Sequence, residues 1–138
     1  MPKYIPIPHP KIRCSLSDLI ELHWLNNTPG QNSIDADFVI PDDSSHALRV
    51  HFRNLQVLRL LDEMPISTEN EETANDGLIS DNFAYIVEDA SFMRHQSWAL
   101  KTVMPGLKHY RFITGWTCMD VLSKDEPEFS IVTCKPSR

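Results

Sequence analysis

Apolar and polar residues alternate along most of this chain. The alternation has the two-residue period of half-buried strands, not the 3.6-residue period of helices. Ile20, Leu22 and Trp24 interleave with Glu21 and His23, and Ile34, Ala36, Phe38 and Ile40 interleave with Asp35 and Asp37. Leu48, Val50 and Phe52 face one way while Arg49, His51 and Arg53 face the other, the cleanest half-buried strand pattern in the sequence. Clusters of turn residues punctuate these runs, at Asn26-Asn27-Thr28-Pro29-Gly30 and Pro41-Asp42-Asp43-Ser44-Ser45. Residues 55–61 read as a strand buried on both faces. Phe83, Tyr85 and Val87 restart the alternation, residues 107–122 read as one long β segment bent near Gly115, and residues 129–133 form a last strand.

One segment departs from this period. From Asp89 or Ser91, either of which suits an N-cap, Phe92, Gln96, Ala99, Leu100 and Val103 fall on one helical stripe that Pro105-Gly106 stops. The pattern therefore predicts about seven strands and one capping helix over roughly 90–104. That is a mainly β (α+β) chain, an antiparallel β-sandwich or partly open barrel. Residues 1–138 read as a single domain with two appendages. Pro2, Pro6, Pro8 and Pro10 make residues 1–14 an extended arm, because proline fixes φ and removes a donor; a loose terminus is the plainer alternative. Residues 62–82 carry little apolar periodicity and read as a long loop, of a length that is often functional.

Charge sharpens the picture of that loop. The net charge of −6 is modest and favours solubility. Yet nine of the nineteen acids lie in the 28 residues from Asp62 to Asp89, a span without lysine or arginine, and the rest of the chain is net +3. The expected partner-binding residues are Asp62, Glu63, Glu69, Glu71, Glu72 and Asp76. An acidic patch of this kind docks on a basic protein and speeds association with it; the plainer alternative is a solvated charged surface.

Cys14, Cys118 and Cys134 are odd in number and widely spaced, the usage of a reduced, cytoplasmic protein with free thiols. No apolar run approaches the roughly 18 residues needed to span a membrane, and the N-terminus lacks the apolar core of a secretory signal.

Candidate chemistry is sparse. Four scattered glycines form neither a dinucleotide fingerprint nor a phosphate loop, and no GxSxG elbow is present. The six histidines show none of the HxH, HExxH or HxxxH spacings that bring metal ligands together. Cys118 has His109 and Asp120 near it in sequence, but a nucleophile needs a base within hydrogen-bond reach, and a cysteine in an apolar strand ordinarily acts as a small hydrophobe. No catalytic, cofactor-binding or metal-binding residue is therefore expected. The arginines are not interleaved with aromatics, and with a pI near 5.4 nucleic acid is not an expected partner either.

The second half of the chain carries a resemblance. Residues 107–132, LKHYRFITGWTCMDVLSKDEPEFSIV, resemble the ending of a loose family of small uncharacterised bacterial proteins. In that family an HYxI/F-T strand precedes a Cys or Asp, a DV(L/I)S turn and a Pro-Glu-aromatic strand. The FAYIVE strand at 83–88 and the helix after it fit the same pattern, so the match covers roughly residues 48–132. Such proteins look like the immunity or accessory proteins of bacterial toxin systems. The resemblance implies a protein-binding module, an immunity-type inhibitor of a toxin domain. The alternative is a small-ligand-binding barrel or an enzyme with a pocket between sheet and helix, using Trp98, Tyr110, Trp116 and the histidines. A homo-oligomer paired through an exposed strand edge is a further option.

Overall fold

The computed structural model describes residues 3–7, 16–28, 31–62, 77–79, 81–96 and 98–134. These form nine strands and two short helices: β1 (Lys3–Ile7), β2 (Leu19–Thr28), β3 (Gln31–Ile40), β4 (Asp43–Phe52), β5 (Leu55–Asp62), β6 (Ala84–Glu88), α1 (Ser91–Arg94), α2 (Trp98–Val103), β7 (Lys108–Ile113), β8 (Thr117–Ser123) and β9 (Glu128–Thr133). The strands build two antiparallel sheets, ordered β1-β6-β7-β8-β5 and β2-β3-β4-β9. No ladder joins one sheet to the other, so the architecture is a β-sandwich and not a barrel.

The core follows from the period-2 pattern. Ile34, Ala36 and Phe38 of β3 and Leu48, Val50 and Phe52 of β4 point inward and are buried. They meet Ala84, Tyr110, Phe112, Met119 and Val121 from the other sheet. Four aromatic rings tie the layers together: Phe38 lies 5.3 Å from Phe83 and 6.0 Å from Phe112, and Phe52 lies 6.0 Å from Phe112. Besides the β1–β2 link, which runs partly outside the described residues, two connections cross between the sheets, Arg53–Asn54 after β4 and residues 124–127 after β8. The Ser123 hydroxyl donates to the Asn54 carbonyl at 2.8 Å and fastens one to the other.

Three expectations change. The segment 107–122 is a hairpin of two strands, β7 and β8, and not a single bent strand. Thr114 makes the reversal: its backbone N–H and hydroxyl both donate to the Thr117 carbonyl, at 3.1 and 2.8 Å, closing a turn around Gly115 and Trp116. The Lys3–Ile7 part of the arm is an edge strand against β6, which accepts Pro6 because an edge has a side with no ladder to break. With these two, seven strands become nine. β5, expected to be buried on both faces, is instead an edge strand, with only Leu55 buried and Leu60 exposed.

The single capping helix is also corrected. Residues 91–103 give two short helices, and none of the described α2 residues is buried. Ala90 at the start of α1 supplies no side-chain cap. The Gln96 side chain donates to the Phe92 carbonyl at 2.8 Å, competing with backbone continuation just after α1.

On the outer face of the four-stranded sheet, Arg49 sits directly across from Asp37 and donates to its carboxylate from Nε at 2.8 Å and Nη2 at 3.1 Å. Its neighbour His51 meets Asp35 at 2.6 Å. Arg49 is thus a paired residue and not a free surface charge. Arg49→Ala should cost about 1–3 kcal/mol, because it leaves the largely buried Asp37 carboxylate without its donors. Urea denaturation of the variant checks this, and a loss below about 0.5 kcal/mol would mean that water replaces the guanidinium.

Candidate functional site

Strand periodicity also builds the outer face of the five-stranded sheet. With Tyr110 and Phe112 turned to the core, His109 and Arg111 must face outward from β7. With Met119 and Val121 turned inward, Cys118, Asp120 and Leu122 face outward from β8. The register sets Arg111 opposite Asp120 on one side and Arg59 of β5 opposite it on the other. A carboxylate therefore stands in line between two guanidiniums.

The contacts around Asp120 are short. Arg59 donates to Oδ2 from Nε at 3.0 Å and from Nη2 at 2.7 Å. Arg111 Nε donates to Oδ1 at 2.7 Å, and His109 Nε2 meets the same oxygen at 2.6 Å. Arg111 also donates from Nη1 to the Tyr4 hydroxyl at 2.7 Å, which ties β1 into the cluster. α1 covers it: Phe92 lies over Arg59, with the guanidinium carbon 4.2 Å from the ring centroid, and packs 5.2 Å from the His109 ring. Asp120 is 0% exposed and His109 and Arg111 are 1% exposed, although all three are polar.

The electrostatics favour an ionised carboxylate beside a neutral imidazole. Burial alone would raise the Asp120 pKa, but the hydrogen bond from His109 and the charge of Arg111 outweigh it and hold the carboxyl well below its ordinary range. Burial likewise works against the Arg111 charge, and Asp120 more than restores it. For His109 burial wins, pushing the imidazole below its usual pKa against the pull of Asp120. The ionised carboxylate only accepts, so His109 is a neutral ring with its proton on Nε2. Nδ1 is then a bare acceptor, and it has no hydrogen-bond partner among the described residues.

His109 also contributes to the wall of an open cleft of about 360 Å³ at the ends of β1, β6 and β7. Ile5, Ile86, Val87, Met93 and Leu107 line it, with Glu88, Asp89 and Lys108 completing the wall.

Glu63, Glu69, Glu71, Glu72 and Asp76 lie outside the described residues, and Asp62 ends β5. Just beyond them, Gly77 adopts φ +91°, and a Cβ there would stand 1.9 Å from the Tyr4 carbonyl oxygen, so only glycine fits. Leu78 then packs with Tyr4 and Tyr85, and the Tyr85 hydroxyl donates to the Ile79 carbonyl at 3.1 Å. Gly77, Leu78 and Ile79 are thereby anchored on the same outer face as Asp120.

The aromatics proposed for a pocket are not brought together. Tyr110 is in the core, while Trp98 and Trp116 stand in solvent, 79% and 70% exposed, on α2 and at the β7–β8 turn. Trp24, on the β2 edge, is 48% exposed. Cys118 is buried and Cys134 half-buried, both free thiols. No group of three or more metal-binding side chains occurs among the described residues, and no described helix is long and apolar enough to cross a membrane. Asp43, Ser45 and His46 cluster at the start of β4, but Ser45 and Asp43 both meet His46 at the same nitrogen, Nδ1, at 3.1 Å. A proton relay needs the two ring nitrogens to serve different partners, so this is a turn cap.

The chain matches no family model, no curated protein and no solved structure. Its reading rests on its own residues.

Sequence reasoning placed His109 and Asp120 beside Cys118 as a possible nucleophile's neighbours, and missed that they bond to each other. The signal was present in the hairpin register around residues 114–117, which sets residue 111 against 120.

Proposed function

We propose that this chain is a protein-binding module, an immunity-type inhibitor that blocks a basic toxin domain in the bacterial cytoplasm. The observation that carries the reading is the position of the tryptophans. The core is filled by phenylalanines, while Trp24, Trp98 and Trp116 all remain substantially in solvent. Tryptophan is the residue most enriched among energetic anchors of interfaces, so side chains of this kind left in solvent are candidate anchors for a partner. The acidic run supplies the complementary element, a field that attracts a basic partner and rejects acidic ones. Asp62, Glu63, Glu69, Glu71, Glu72 and Asp76 provide that steering, and the tryptophans provide the contact.

The two contributions separate in kinetics. Stopped-flow association with a basic toxin domain should slow roughly tenfold when Glu69, Glu71 and Glu72 become Gln, and the difference should shrink as salt screens charges beyond about 8 Å. Trp98→Ala should leave the association rate nearly unchanged and speed dissociation, since truncating an anchor acts on residence time. Equal association rates at every salt concentration would remove the acidic run from the interface, and the absence of any complex with that domain would overturn the reading.

A further inference from the structure

Among the described residues β2 is the outermost strand of the four-stranded sheet, and it lacks the devices that usually blunt an edge. It runs ten residues, Leu19–Thr28, with no proline and no lysine. Its two irregularities fall near its ends, at Leu19/Glu21 and Asn26/Thr28, so Glu21 to Asn26 pair regularly with β3. Ile20, Trp24 and Leu25 are 52%, 48% and 44% exposed. Trp24 stands across from the fully buried Ile34, so it points to the inner side of the sheet and is still half in solvent. Two of the other edges are shorter: β1 has five residues with Pro6 among them, and β9 has six.

Charge says what fits this edge. Glu21 and His23 are the only ionisable side chains on the strand, 2.8 Å apart on its outer side and each more than half exposed. When two identical strands pair antiparallel, each residue faces the one equally far on the other side of the central residue. Centred on Leu22, Glu21 of each copy faces His23 of the other, so both carboxylates gain a group that donates to them. Centred on Glu21, two carboxylates would face each other, which is destabilising. Every other central residue leaves both side chains unmatched, and a centre between two residues would set inner side chains against outer ones. The strand is complementary to itself in one register. We infer that β2 pairs with β2 of a second copy of this chain, antiparallel and centred on Leu22, to form a symmetric dimer. The two four-stranded sheets become one sheet of eight strands, and the free N–H and C=O groups of each edge are satisfied by the other. On the inner side Leu22 meets Leu22 and Trp24 comes against Ile20. The pairing covers Trp24 and leaves Trp98 and Trp116, which lie off this strand, for the partner proposed above.

Sedimentation velocity of the full chain over a dilution series should show a reversible equilibrium between the 15.9 kDa monomer and a species of twice that mass. Hydrogen exchange read by NMR should locate the contact. On passing from monomer to dimer, the amides of residues 21–26 that point away from β3 should slow about tenfold or more, while those of β9, at the opposite edge of the same sheet, stay unchanged. Glu21→Lys and His23→Glu should each weaken the dimer roughly tenfold by removing the match across the strands. An equimolar mixture of the two variants should dimerise again, because each acid of one chain then faces a base of the other. A monomer at every concentration, protection on β9 in place of β2, variants that dimerise as well as the unaltered chain, or a mixture no more dimeric than its components would each overturn the inference. The first two measurements need no variant, so they decide even if a variant fails to fold. No toxin domain enters any of them, so failure here is distinct from failure of the inhibitor reading.

Discussion

Asp120→Ala is expected to destabilise the fold by about 3–5 kcal/mol, the cost of removing one partner from a buried charge cluster. The loss does not come chiefly from the carboxylate's own attraction. It comes from what remains: the Arg111 guanidinium at 1% exposure and an Arg59 side chain held under Phe92, both without the oxygens that accept from them. Asp120→Asn keeps the volume and should lose much of the same stability, because a neutral amide offers one acceptor oxygen where two served. Equilibrium urea unfolding measures both, and a cost below about 1 kcal/mol for Asp120→Ala would show that water enters the outer face and replaces the carboxylate.

The same cluster dictates the response to acid. His109 has its pKa lowered in the folded state, so near and below its ordinary value of about 6.5 the unfolded chain binds the proton more readily than the folded one. Stability should therefore begin to fall as pH drops through that value. Asp120 adds a second decline. Its folded pKa is depressed, so its contribution is complete above about 3.9 and is lost as pH falls below that value toward the folded one. Both groups push the same way, and the Asp120→Ala variant should lose most of the second decline.

Phe52→Ala should cost a comparable amount, about 3–5 kcal/mol, through packing. Phe52 ends β4 at full burial, with Tyr110 at 5.3 Å and Phe112 at 6.0 Å. Both partners come from β7 in the opposite sheet, so truncation opens a hole between the layers, where neither sheet can collapse without disturbing its own ladder. Phe52→Leu retains most of the volume and should lose clearly less. If alanine proved no worse than leucine in thermal and urea unfolding, the position would be one where the sandwich relaxes into the gap.

These two effects also show what was legible in the sequence. Leu48, Val50 and Phe52 alternate so regularly with Arg49 and His51 that their inward direction follows from the period alone, and β3 is as clear. The sandwich itself could be read. The pairing of partners was harder, because period-2 reading fixes a face but not a neighbour. Arg49 reads as a solvated strand residue until β3 places Asp37 across from it. Arg59 and Asp120 lie 61 residues apart and meet only because β5 pairs with β8. The helix failed for a different reason. Its stripe of Phe92, Gln96, Ala99, Leu100 and Val103 is amphipathic on paper, but Ala99 and Val103 stand exposed, and tertiary contact decides whether a weak helix continues. The candidate site was half visible: His109 and Asp120 were singled out, but as attendants of a cysteine.

The strand order has a consequence for biogenesis. β1 pairs with β6, and the partners Ile7 and Ala84 are separated by almost eighty residues of chain. At synthesis rates of roughly 5–20 residues per second, β1 leaves the ribosome roughly 4–15 s before the strand it must join. Until then Tyr4 lacks both the Arg111 guanidinium it will accept from and the Tyr85 ring it will pack against, 5.4 Å away in the finished sheet. β4 waits about as long for β9, since the partners His51 and Glu128 are separated by a span of chain like that between Ile7 and Ala84. Each sheet therefore joins strands from both halves of the chain, and the nascent domain has to keep β1 available as an unpaired ribbon while the body of the sandwich is made.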